Sequence, residues 1–228
     1  MKNDSLVGVI INAYNSQAYL ADTIESVLAQ TWKNFELIVV DDGSTDNTGN
    51  IARSYGDKLI YHYQTNQRLG AARNAGIALA RGDVVTFLDG DDLWHPLKLE
   101  KQLETLLLYP DVSMVFTMIE QFISSELDEE RKKRIKGDGQ VMAGYCASTL
   151  MIRKEALLHA GNFPTHIEIG EFLDWYGRAK DKGCKSLLIK DVLARRRIHG
   201  NNMGIQLKHQ RYEYLHVVKA MLDRRRKV

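Results

Sequence analysis

The sequence predicts an α/β fold: a single Rossmann-like domain with a mainly parallel central sheet, flanking helices and a C-terminal helix. Short, continuously apolar segments alternate with segments of helical periodicity through the first half of the chain. This alternation is typical of parallel strands whose connecting helices cover both faces of the sheet. Polar residues directly follow several of the apolar segments, where ligands bind in open parallel sheets. The 228 residues, 44% of them hydrophobic, are enough for one large core.

The first half is predicted to alternate strands with helices. The strands are short apolar runs at 6–11, 35–40, 59–63 and 84–88. Apolar side chains at helical spacing predict helices over 18–30, through Ile51 and Ala52, over about 69–80 and over 97–108. Pro96 suits the first turn of the last of these helices, because proline lacks the N–H that this turn leaves unpaired.

The second half is less regular. Strands are expected at 114–123, 148–152, 187–189 and 192–198, and helices at 154–160, 171–182 and 206–226. The last helix carries an apolar stripe along one side. The stretch 126–138 is densely charged, so we expect an exposed helix or a mobile loop there.

Composition and charge exclude several classes of protein. The formal net charge of +2 is too small for binding by bulk charge, so we expect no nucleic-acid partner. No apolar run approaches the ~18–20 residues of a transmembrane segment, and the start of the chain lacks the features of a signal peptide. Cys146 and Cys184 belong to no metal or disulfide pattern, so reduced thiols and a cytoplasmic location are expected.

The small net charge is a cancellation between two unlike regions. From Arg195 onward the sequence has ten Lys or Arg residues and two acids, a balance of +8, which leaves −6 for the preceding residues. The basic region includes the apolar stripe of the C-terminal helix. This combination predicts peripheral contact with an anionic membrane or with a protein partner, and the simpler alternative is a solvated helix end.

Three polar clusters are predicted to meet at one edge of the sheet. Residues 12–15 (Asn-Ala-Tyr-Asn) follow the first strand, 41–44 (Asp-Asp-Gly-Ser) the second and 89–92 (Asp-Gly-Asp-Asp) the fourth. One aspartate after a strand is often only a helix cap. Three clusters on one edge indicate a ligand site.

The cluster at 89–92 is the most informative of the three. Asp89, Asp91 and Asp92 would repel one another on one turn without a cation, and carboxylates at this spacing can converge on Mg²⁺ or Mn²⁺. Between the second and fourth strands, Arg73 offers forked donors that suit a phosphate or a base. The sequence has no GxGxxG after its first strand and no P-loop motif, which disfavours dinucleotide and P-loop sites.

Four segments, taken together in order and spacing, resemble family 2 glycosyltransferases of the GT-A fold. They are 9–15 (Val-Ile-Ile-Asn-Ala-Tyr-Asn), 39–46 (Val-Val-Asp-Asp-Gly-Ser-Thr-Asp), 72–76 (Ala-Arg-Asn-Ala-Gly) and 87–92 (Phe-Leu-Asp-Gly-Asp-Asp). The resemblance covers about the first half of the chain, and Asn12 replaces the family's usual proline. It implies one GT-A-like glycosyltransferase domain over 1–228, with a nucleotide-sugar-binding half (1–110), an acceptor and catalytic half (111–204) and a C-terminal basic helix (205–228).

The resemblance implies a nucleoside-diphosphate sugar as donor, a UDP-sugar by the family's preference, together with Mn²⁺ or Mg²⁺. It implies nucleotide contacts from Ala13, Tyr14, Asn15, Asp41, Asp42, Arg73 and Asp89, with Asp41 alternatively orienting its loop. It implies metal contacts from Asp91, Asp92 and His199, the last in a segment that is similar to the family's late Arg-x-His. The cation would neutralise charge on the departing nucleoside diphosphate.

The family's Glu-Asp motif, which opens a helix, has a counterpart at 170–178. The resemblance implies an inverting hexosyltransferase, in which one carboxylate deprotonates the acceptor. Glu171 is the first candidate for this base, and Asp174, three residues on, is the second. The usual second acid is Phe172 here. Saccharide, lipid-linked and peptide acceptors all stay open.

Two other functions stay open as well. Phe172 in the acidic motif is consistent with a non-catalytic partner protein that binds nucleotide sugars. The run at 87–92 also resembles the DxDx(T/V) motif of a class of phosphatases. Against this second hypothesis, Leu93 replaces the expected Thr or Val, and the motif follows the fourth strand instead of the first.

Overall fold

The computed structural model describes residues 4–134, 137–207, 209 and 212–226. Its strands are β1 (Val7–Ala13), β2 (Phe35–Asp42), β3 (Ile60–Gln64), β4 (Val84–Asp89), β5 (Leu93–Trp94), β6 (Met114–Ile123), β7 (Val141–Ala143), β8 (Met151–Arg153) and β9 (Ser186–Ile198). Its helices are α1 (Leu20–Leu28), α2 (Thr48–Ser54), α3 (Arg68–Leu79), α4 (Lys98–Leu108), α5 (Glu129–Arg134), α6 (Lys154–Ala160), α7 (Glu171–Asp181), α8 (Met203–Gln206) and α9 (Tyr212–Arg226). Short 3₁₀ turns lie at Gly56–Lys58 and Ala147–Thr149.

These strands form one mixed sheet in the order β3-β2-β1-β4-β8-β6-β9-β5, with β7 paired to β6. The strands β1 to β4 are parallel, and so are β6 and β9. The short strand β8 runs antiparallel to both β4 and β6 and so joins the two parallel groups. The predicted α/β fold, with a mainly parallel sheet, flanking helices and a C-terminal helix, is confirmed.

Two apolar layers cover the two faces of the sheet. Successive residues of β1 point to opposite faces, so Ile11 packs in the layer that contains Ile24 of α1, whereas Ile10 packs in the layer that contains Ala72 of α3. Because both faces are buried, the strands of the first half are apolar throughout. Gly76 of α3 lies so close to Ile10 that a Cβ would overlap the isoleucine side chain, so the helix requires glycine there.

Several strands differ from the predicted ones. The two strands expected at 187–189 and 192–198 are one strand, β9, because its pairing with β6 shifts register around Met118 and lets Lys190 and Asp191 leave the ladder. The strand expected at 148–152 begins only at Met151, after the 3₁₀ turn. The strands β5 and β7 have two and three residues, too few for a periodic pattern to predict them.

The C-terminal helix predicted over 206–226 is divided. Helix α8 ends at Gln206 and α9 begins at Tyr212, while residues 208, 210 and 211 of the predicted helix lie outside the described residues, as do 227 and 228. In the charged stretch 126–138, α5 forms the helix, and residues 135 and 136 lie outside the described residues. Within the described ranges, no helix combines the length and the apolar character needed to cross a membrane.

Candidate active site at the carboxyl edge of the sheet

The loops that follow β1 and β2 are tied together by Asn15. Its backbone N–H donates to the Ser44 hydroxyl (2.9 Å), and its side-chain oxygen accepts from the Thr45 N–H (2.8 Å). Asn15 has a φ of 48°, a left-handed conformation that asparagine tolerates better than most residues. Neighbouring Tyr14 is 53% exposed, whereas Ala13 is buried. Asn15 therefore fixes the loop that presents the Tyr14 ring at the sheet edge.

Asp41 and Asp42, the last residues of β2, are both buried. One Asp41 oxygen accepts from the Ser44 N–H (2.9 Å), and the other accepts from the Tyr61 hydroxyl (2.8 Å). Burial and the hydrogen bond to Asp41 raise the pKa of Tyr61 to about 12, so this hydroxyl remains a donor at neutral pH. Asp42 accepts from Gln64 Nε2 (2.6 Å). Asp41 thus orients its loop, which is the alternative role considered for it above.

Arg73 on α3 connects the two halves of the site. Its guanidinium pairs with Asp89 at the end of β4 (3.3 Å) and with Glu171 at the start of α7, and it lies over the Phe163 ring at 5.5 Å. Arg73 and Glu171 are almost fully buried, with exposed fractions of 2% and 4%. Burial acts to lower the pKa of Arg73, but Glu171 and Asp89 raise it above its ordinary value. The guanidinium therefore stays charged in the interior.

The residues beside Arg73 dock the segment that leads to α7. Asn74 Nδ2 donates to the Phe163 carbonyl (2.9 Å), and its Oδ1 accepts from the Phe163 N–H (2.9 Å). Gly70 lies so close to the Pro164 carbonyl that a Cβ would overlap it. Sequence reasoning assigned no role to Asn74, because an amide that bonds a distant loop produces no periodic signal.

The turn after β4 packs against the end of β1. The Gly90 N–H donates to the Asn12 carbonyl (2.9 Å), and a Cβ on Gly90 would come within 3.0 Å of that oxygen. The Asp89 N–H donates to the Ser148 hydroxyl (3.3 Å), a contact that the sequence did not predict. These backbone contacts hold the acidic turn at the sheet edge.

The carboxylates of this turn point to different partners. Asp89 faces the guanidinium on α3, whereas Asp91 Oδ2 lies 2.9 Å from His199 Nε2. Asp92 is buried, and its Oδ1 accepts from the Arg197 N–H (3.1 Å). In the part of the chain that the structure describes, no three acidic, His or Cys side chains are grouped closely enough to hold a metal ion. The structure therefore brings Asp91 and His199 together and directs Asp92 toward the end of β9.

Crowding of these acids changes their affinity for protons. Burial raises the pKa of Asp92 well above its usual range, and the charges of Asp91 and Asp89 raise it further. Although 38% of the Asp89 side chain is exposed, desolvation by surrounding protein atoms raises its pKa, and Arg73 opposes this effect. A divalent cation at the turn would relieve the repulsion between the carboxylates.

Both ring nitrogens of His199 have partners. Nδ1 accepts from the Asn201 N–H (3.1 Å), so the proton is assigned to Nε2, which donates to Asp91 Oδ2 (2.9 Å). The Tyr19 ring packs against the imidazole, with 4.6 Å between ring centroids. A cation on Nε2 would require this proton to move to Nδ1, where the Asn201 N–H opposes it. The Asp91 carboxylate therefore fits Mn²⁺ or Mg²⁺ directly, and His199 fits only after a change at Asn201.

Tyr19 and Arg197 support the acidic turn from outside. The Arg197 guanidinium donates to the Asp91 carbonyl (3.0 Å), pairs with Asp22 (3.0 Å) and lies over the Tyr19 ring at 4.8 Å. The Tyr19 hydroxyl donates to Glu126, and burial together with this hydrogen bond raises the Tyr19 pKa to about 12. Tyr19 lies in the segment 18–30 that the sequence predicts as a helix, and a contact across 107 residues has no local signal.

Helix α7 carries both candidate bases, and their surroundings differ. Glu171 is its first residue, follows Gly170 with a φ of 96°, and meets the guanidinium on α3. Asp174 is held by two arginines, with Arg178 Nε at one oxygen and Arg224 at the other, each at 2.9 Å. Glu171 therefore lies at the sheet edge with the acidic turn, whereas Asp174 ties α7 to α9.

Phe172 belongs to an aromatic cluster next to Glu171. Its ring is stacked with those of Phe163 (6.5 Å) and Tyr176 (6.2 Å) and meets Phe116 edge-on (6.3 Å). Each distance joins ring centroids. The position at which the resemblance leads one to expect a second acid therefore contributes to packing.

Comparisons with known proteins relate the chain to one family. Residues 8–172 match the family model of glycosyl transferase family 2. EpsE of Bacillus subtilis, described as a glycosyltransferase, is 37% identical over 165 residues, which are 68% of this chain and 59% of that protein. The chain spans less than two thirds of the length of the curated relatives it matches.

Solved structures share the fold. TarS 1-349 of S. aureus in complex with UDP-GlcNAc has a TM-score of 0.69, covers 87% of this chain and 60% of its own, and is 21% identical. The mannosyltransferase PcManGT of Pyrobaculum calidifontis, in complex with GDP-Man and Mn²⁺, has a TM-score of 0.64, covers 89% of this chain and 59% of its own, and is 19% identical. Such low identities establish likeness of fold alone.

Proposed function

Because the chain belongs to glycosyltransferase family 2, we propose that it transfers a hexosyl group from a nucleoside-diphosphate sugar to an acceptor, with inversion at the anomeric carbon. The observation that carries this proposal is the Arg73 bridge. It holds Asp89, from the donor half, and Glu171, from the acceptor half, at one edge of the sheet. TarS, which shares the fold, has been solved with UDP-GlcNAc, so a UDP-sugar is the donor proposed first.

The nucleotide is proposed to bind across the loops after β1 and β2. The exposed Tyr14 ring offers a face for stacking a base, and the buried acids of β2 keep the opposite loop in place. The residues proposed to form the nucleotide site are Ala13, Tyr14, Asn15, Asp41, Asp42, Arg73 and Asp89. Asp41 contributes by orientation, because both of its oxygens already accept hydrogen bonds from protein groups.

Mn²⁺ or Mg²⁺ is the proposed cofactor, with Asp91 as the main ligand and Asp92 and His199 beside it. When bound, such a cation neutralises charge that develops on the departing diphosphate. In the tautomer assigned above, the Nε2–H of His199 can donate to a phosphate oxygen as it donates to Asp91. PcManGT, which shares the fold, has been solved with Mn²⁺.

Glu171 is the proposed base, and Asp174 is the alternative. An inverting transfer needs a carboxylate that takes the proton of the acceptor hydroxyl as its oxygen attacks the anomeric carbon. To do so, Glu171 would exchange its ion pair with Arg73 for a hydrogen bond to the acceptor. Asp174 would have to leave both Arg178 and Arg224. The smaller rearrangement favours Glu171.

A protein that binds nucleotide sugars without transferring them is the second candidate. Phe172 favours it, because its ring is packed among Phe163, Phe116 and Tyr176 and supplies no acid beside Glu171. The acceptor in the first proposal is a saccharide, a lipid-linked molecule or a peptide. The proposed location is the cytoplasm, with peripheral membrane contact through the C-terminal basic helix.

Thermal unfolding with UDP or GDP, each with and without Mn²⁺ or Mg²⁺, tests donor binding. A ligand at about 100 times its Kd adds about 2.7 kcal/mol, which for a chain of this size is roughly a 5–10 °C rise in Tm. We expect that rise only when nucleotide and cation are both present. Absence of a shift with every pair would contradict the proposal.

Hydrolysis and transfer assays with several nucleotide sugars test catalysis. Glu171→Gln is expected to retain the nucleotide-dependent rise in Tm and to lose turnover, because it removes the proton acceptor and keeps the shape. Glu155→Gln, at an exposed position of α6, is the matched control and should behave as wild type. Full turnover in Glu171→Gln would move the base to Asp174 or elsewhere. Donor binding without any cleavage by the wild type would support the second candidate.

A further inference from the structure

Helix α9 has an inner face that is packed against α7. Val217 is 4% exposed, and a Cβ on Gly177 of α7 would come within 2.6 Å of Met221 Cε. Arg224 pairs with Asp174 at 2.9 Å on the same side. The inner face is therefore committed to contacts within the domain.

The outer face of α9 carries a row of solvent-exposed apolar side chains. Leu215, Val218 and Leu222 follow one another at spacings of three and four residues, which places them on one side of the helix. Their exposed fractions are 73%, 42% and 49%. Single exposed aliphatic residues are ordinary, but a row of them on one helix marks an interaction surface.

Two cations and one acid flank this row. Lys219 and Arg226 stand four residues after Leu215 and Leu222, so they share the outer face, and both are exposed. Asp223, which is half-buried, stands four residues after Lys219 and so lies next to it, whereas Glu213 lies on the inner side. Glu213 turns inward, where its Oε2 accepts from the backbone N–H groups of residues 168 and 169 (3.1 and 2.9 Å). The outer face thus combines aliphatic side chains with two cations and one acid, a net positive charge.

The charges on the outer face indicate which kind of partner binds the apolar row. A second copy of the chain, docked through the same face, would bring two surfaces of net positive charge together, which is unfavourable. An anionic bilayer has no such conflict. Aliphatic side chains sink below the headgroups while lysine and arginine reach up to the phosphates.

We propose that the outer face of α9, formed by Leu215, Val218, Lys219, Leu222 and Arg226, docks onto an anionic phospholipid surface. The helix lies along the surface with its axis parallel to the bilayer and does not enter it. This inference deepens the membrane contact proposed above for the C-terminal basic helix, and it does not depend on the transferase function. Docking is weak and reversible, because the row is short and two cations supply the attraction.

Co-sedimentation of the full chain with vesicles tests the proposal. Vesicles of phosphatidylcholine mixed with phosphatidylglycerol should bind the protein, and vesicles of phosphatidylcholine alone should not. Binding should fall between about 0.1 M and 1 M salt, where the Debye length decreases from about 10 Å to 3 Å. Lys219→Glu with Arg226→Glu should weaken binding at least about 25-fold, since each cation near the surface contributes about fivefold.

Matched variants separate the α9 face from general surface effects. Leu215→Ser with Leu222→Ser should also weaken sedimentation with vesicles, whereas Leu158→Ser, at a position of α6 that is 61% exposed, should not. Lys58→Glu, an exposed charge on the 3₁₀ turn after α2, is the control for the charge reversals. Circular dichroism and the nucleotide-dependent rise in Tm verify that each variant is folded, independently of lipid.

Three results would overturn the proposal. Equal binding to vesicles with and without phosphatidylglycerol would remove the role of the cations. Unchanged binding in the α9 variants would place the lipid contact elsewhere. A dimer that dissociates in Leu215→Ser with Leu222→Ser would mean that a second copy covers this face.

Discussion

Replacing Arg73 by methionine removes a cation that two carboxylates share and keeps an unbranched apolar stem. Arg73 is 2% exposed, and its guanidinium pairs with Glu171 and Asp89. Its loss leaves Glu171, which is 4% exposed, without a counter-charge, and breaking a buried pair from one side costs about 3–5 kcal/mol. For a chain of this size, that corresponds to a fall in Tm of roughly 6–20 °C.

A double-mutant cycle isolates the pair. Glu171→Gln alone should cost less, under about 3 kcal/mol, because Arg73 keeps Asp89 and the amide oxygen still accepts a hydrogen bond. Arg73→Met with Glu171→Gln should be more stable than Arg73→Met alone, since no unpaired charge stays buried. Urea unfolding followed by circular dichroism measures all three. Arg81→Met is the control: its side chain is 74% exposed and pairs with Glu36, so the loss should be about 0–1 kcal/mol.

The pH dependence of the free energy of unfolding tests the same ion pair independently. Burial raises the pKa of Asp89 and Arg73 opposes it, so the pKa should rise further in Arg73→Met. A carboxyl whose folded pKa exceeds its unfolded value loses stability as pH rises through the folded pKa. The variant should therefore be less destabilised near pH 4 than near pH 7. A loss under about 1 kcal/mol, or a double variant no more stable than Arg73→Met, would refute the reasoning.

Three further perturbations test other parts of the structure. Burial lowers the pKa of Lys98 well below its ordinary range. The free energy of unfolding should therefore rise with pH between that lowered pKa and about 10.4, the value in the unfolded chain. Urea titrations at several pH values should show a flatter dependence for Lys98→Met, and no such change for Lys58→Met at an exposed position. Gly76→Ala should lower stability by about 1–3 kcal/mol in the same assay, because the methyl overlaps Ile10, and an unchanged stability would contradict this packing. Glu213→Ala should lower kcat without weakening nucleotide binding, because it removes the hydrogen bonds that hold the loop before α7. Glu213→Gln should retain turnover, since its amide oxygen can still accept from the backbone N–H groups of residues 168 and 169.

How much of the fold could be predicted depended on burial. The strands of the first half are covered on both faces, so each is a continuous apolar run that a sequence displays directly. The strand β6 matches the predicted 114–123 because its apolar run is long. In β9, Lys190 and Asp191 interrupt the apolar run, and only the register shift against β6 shows that the strand continues.

The candidate site could likewise be predicted from the sequence only in part. Sequence reasoning placed the polar clusters at one edge, because parallel strands end together, and Arg73 and Asp89 do meet at 3.3 Å. The pairing of Arg73 with Glu171 spans 98 residues and depends on how α7 is docked, so no local pattern indicates it. For the same reason, neither the partner of Tyr19 nor the two arginines on Asp174 could be expected.

The order of strands in the sheet determines how this chain could be recombined with its relatives. The strand β8, from the second half of the sequence, lies between β4 and β6, while β5, from the first half, pairs with β9 at the far edge. A fragment that ends near residue 110 would leave β4 as an open edge, a surface prone to aggregation. A chimera that exchanges the part of the chain after residue 110 therefore has to match two seams within the sheet, Val84 against Arg153 and Trp94 against Ala194.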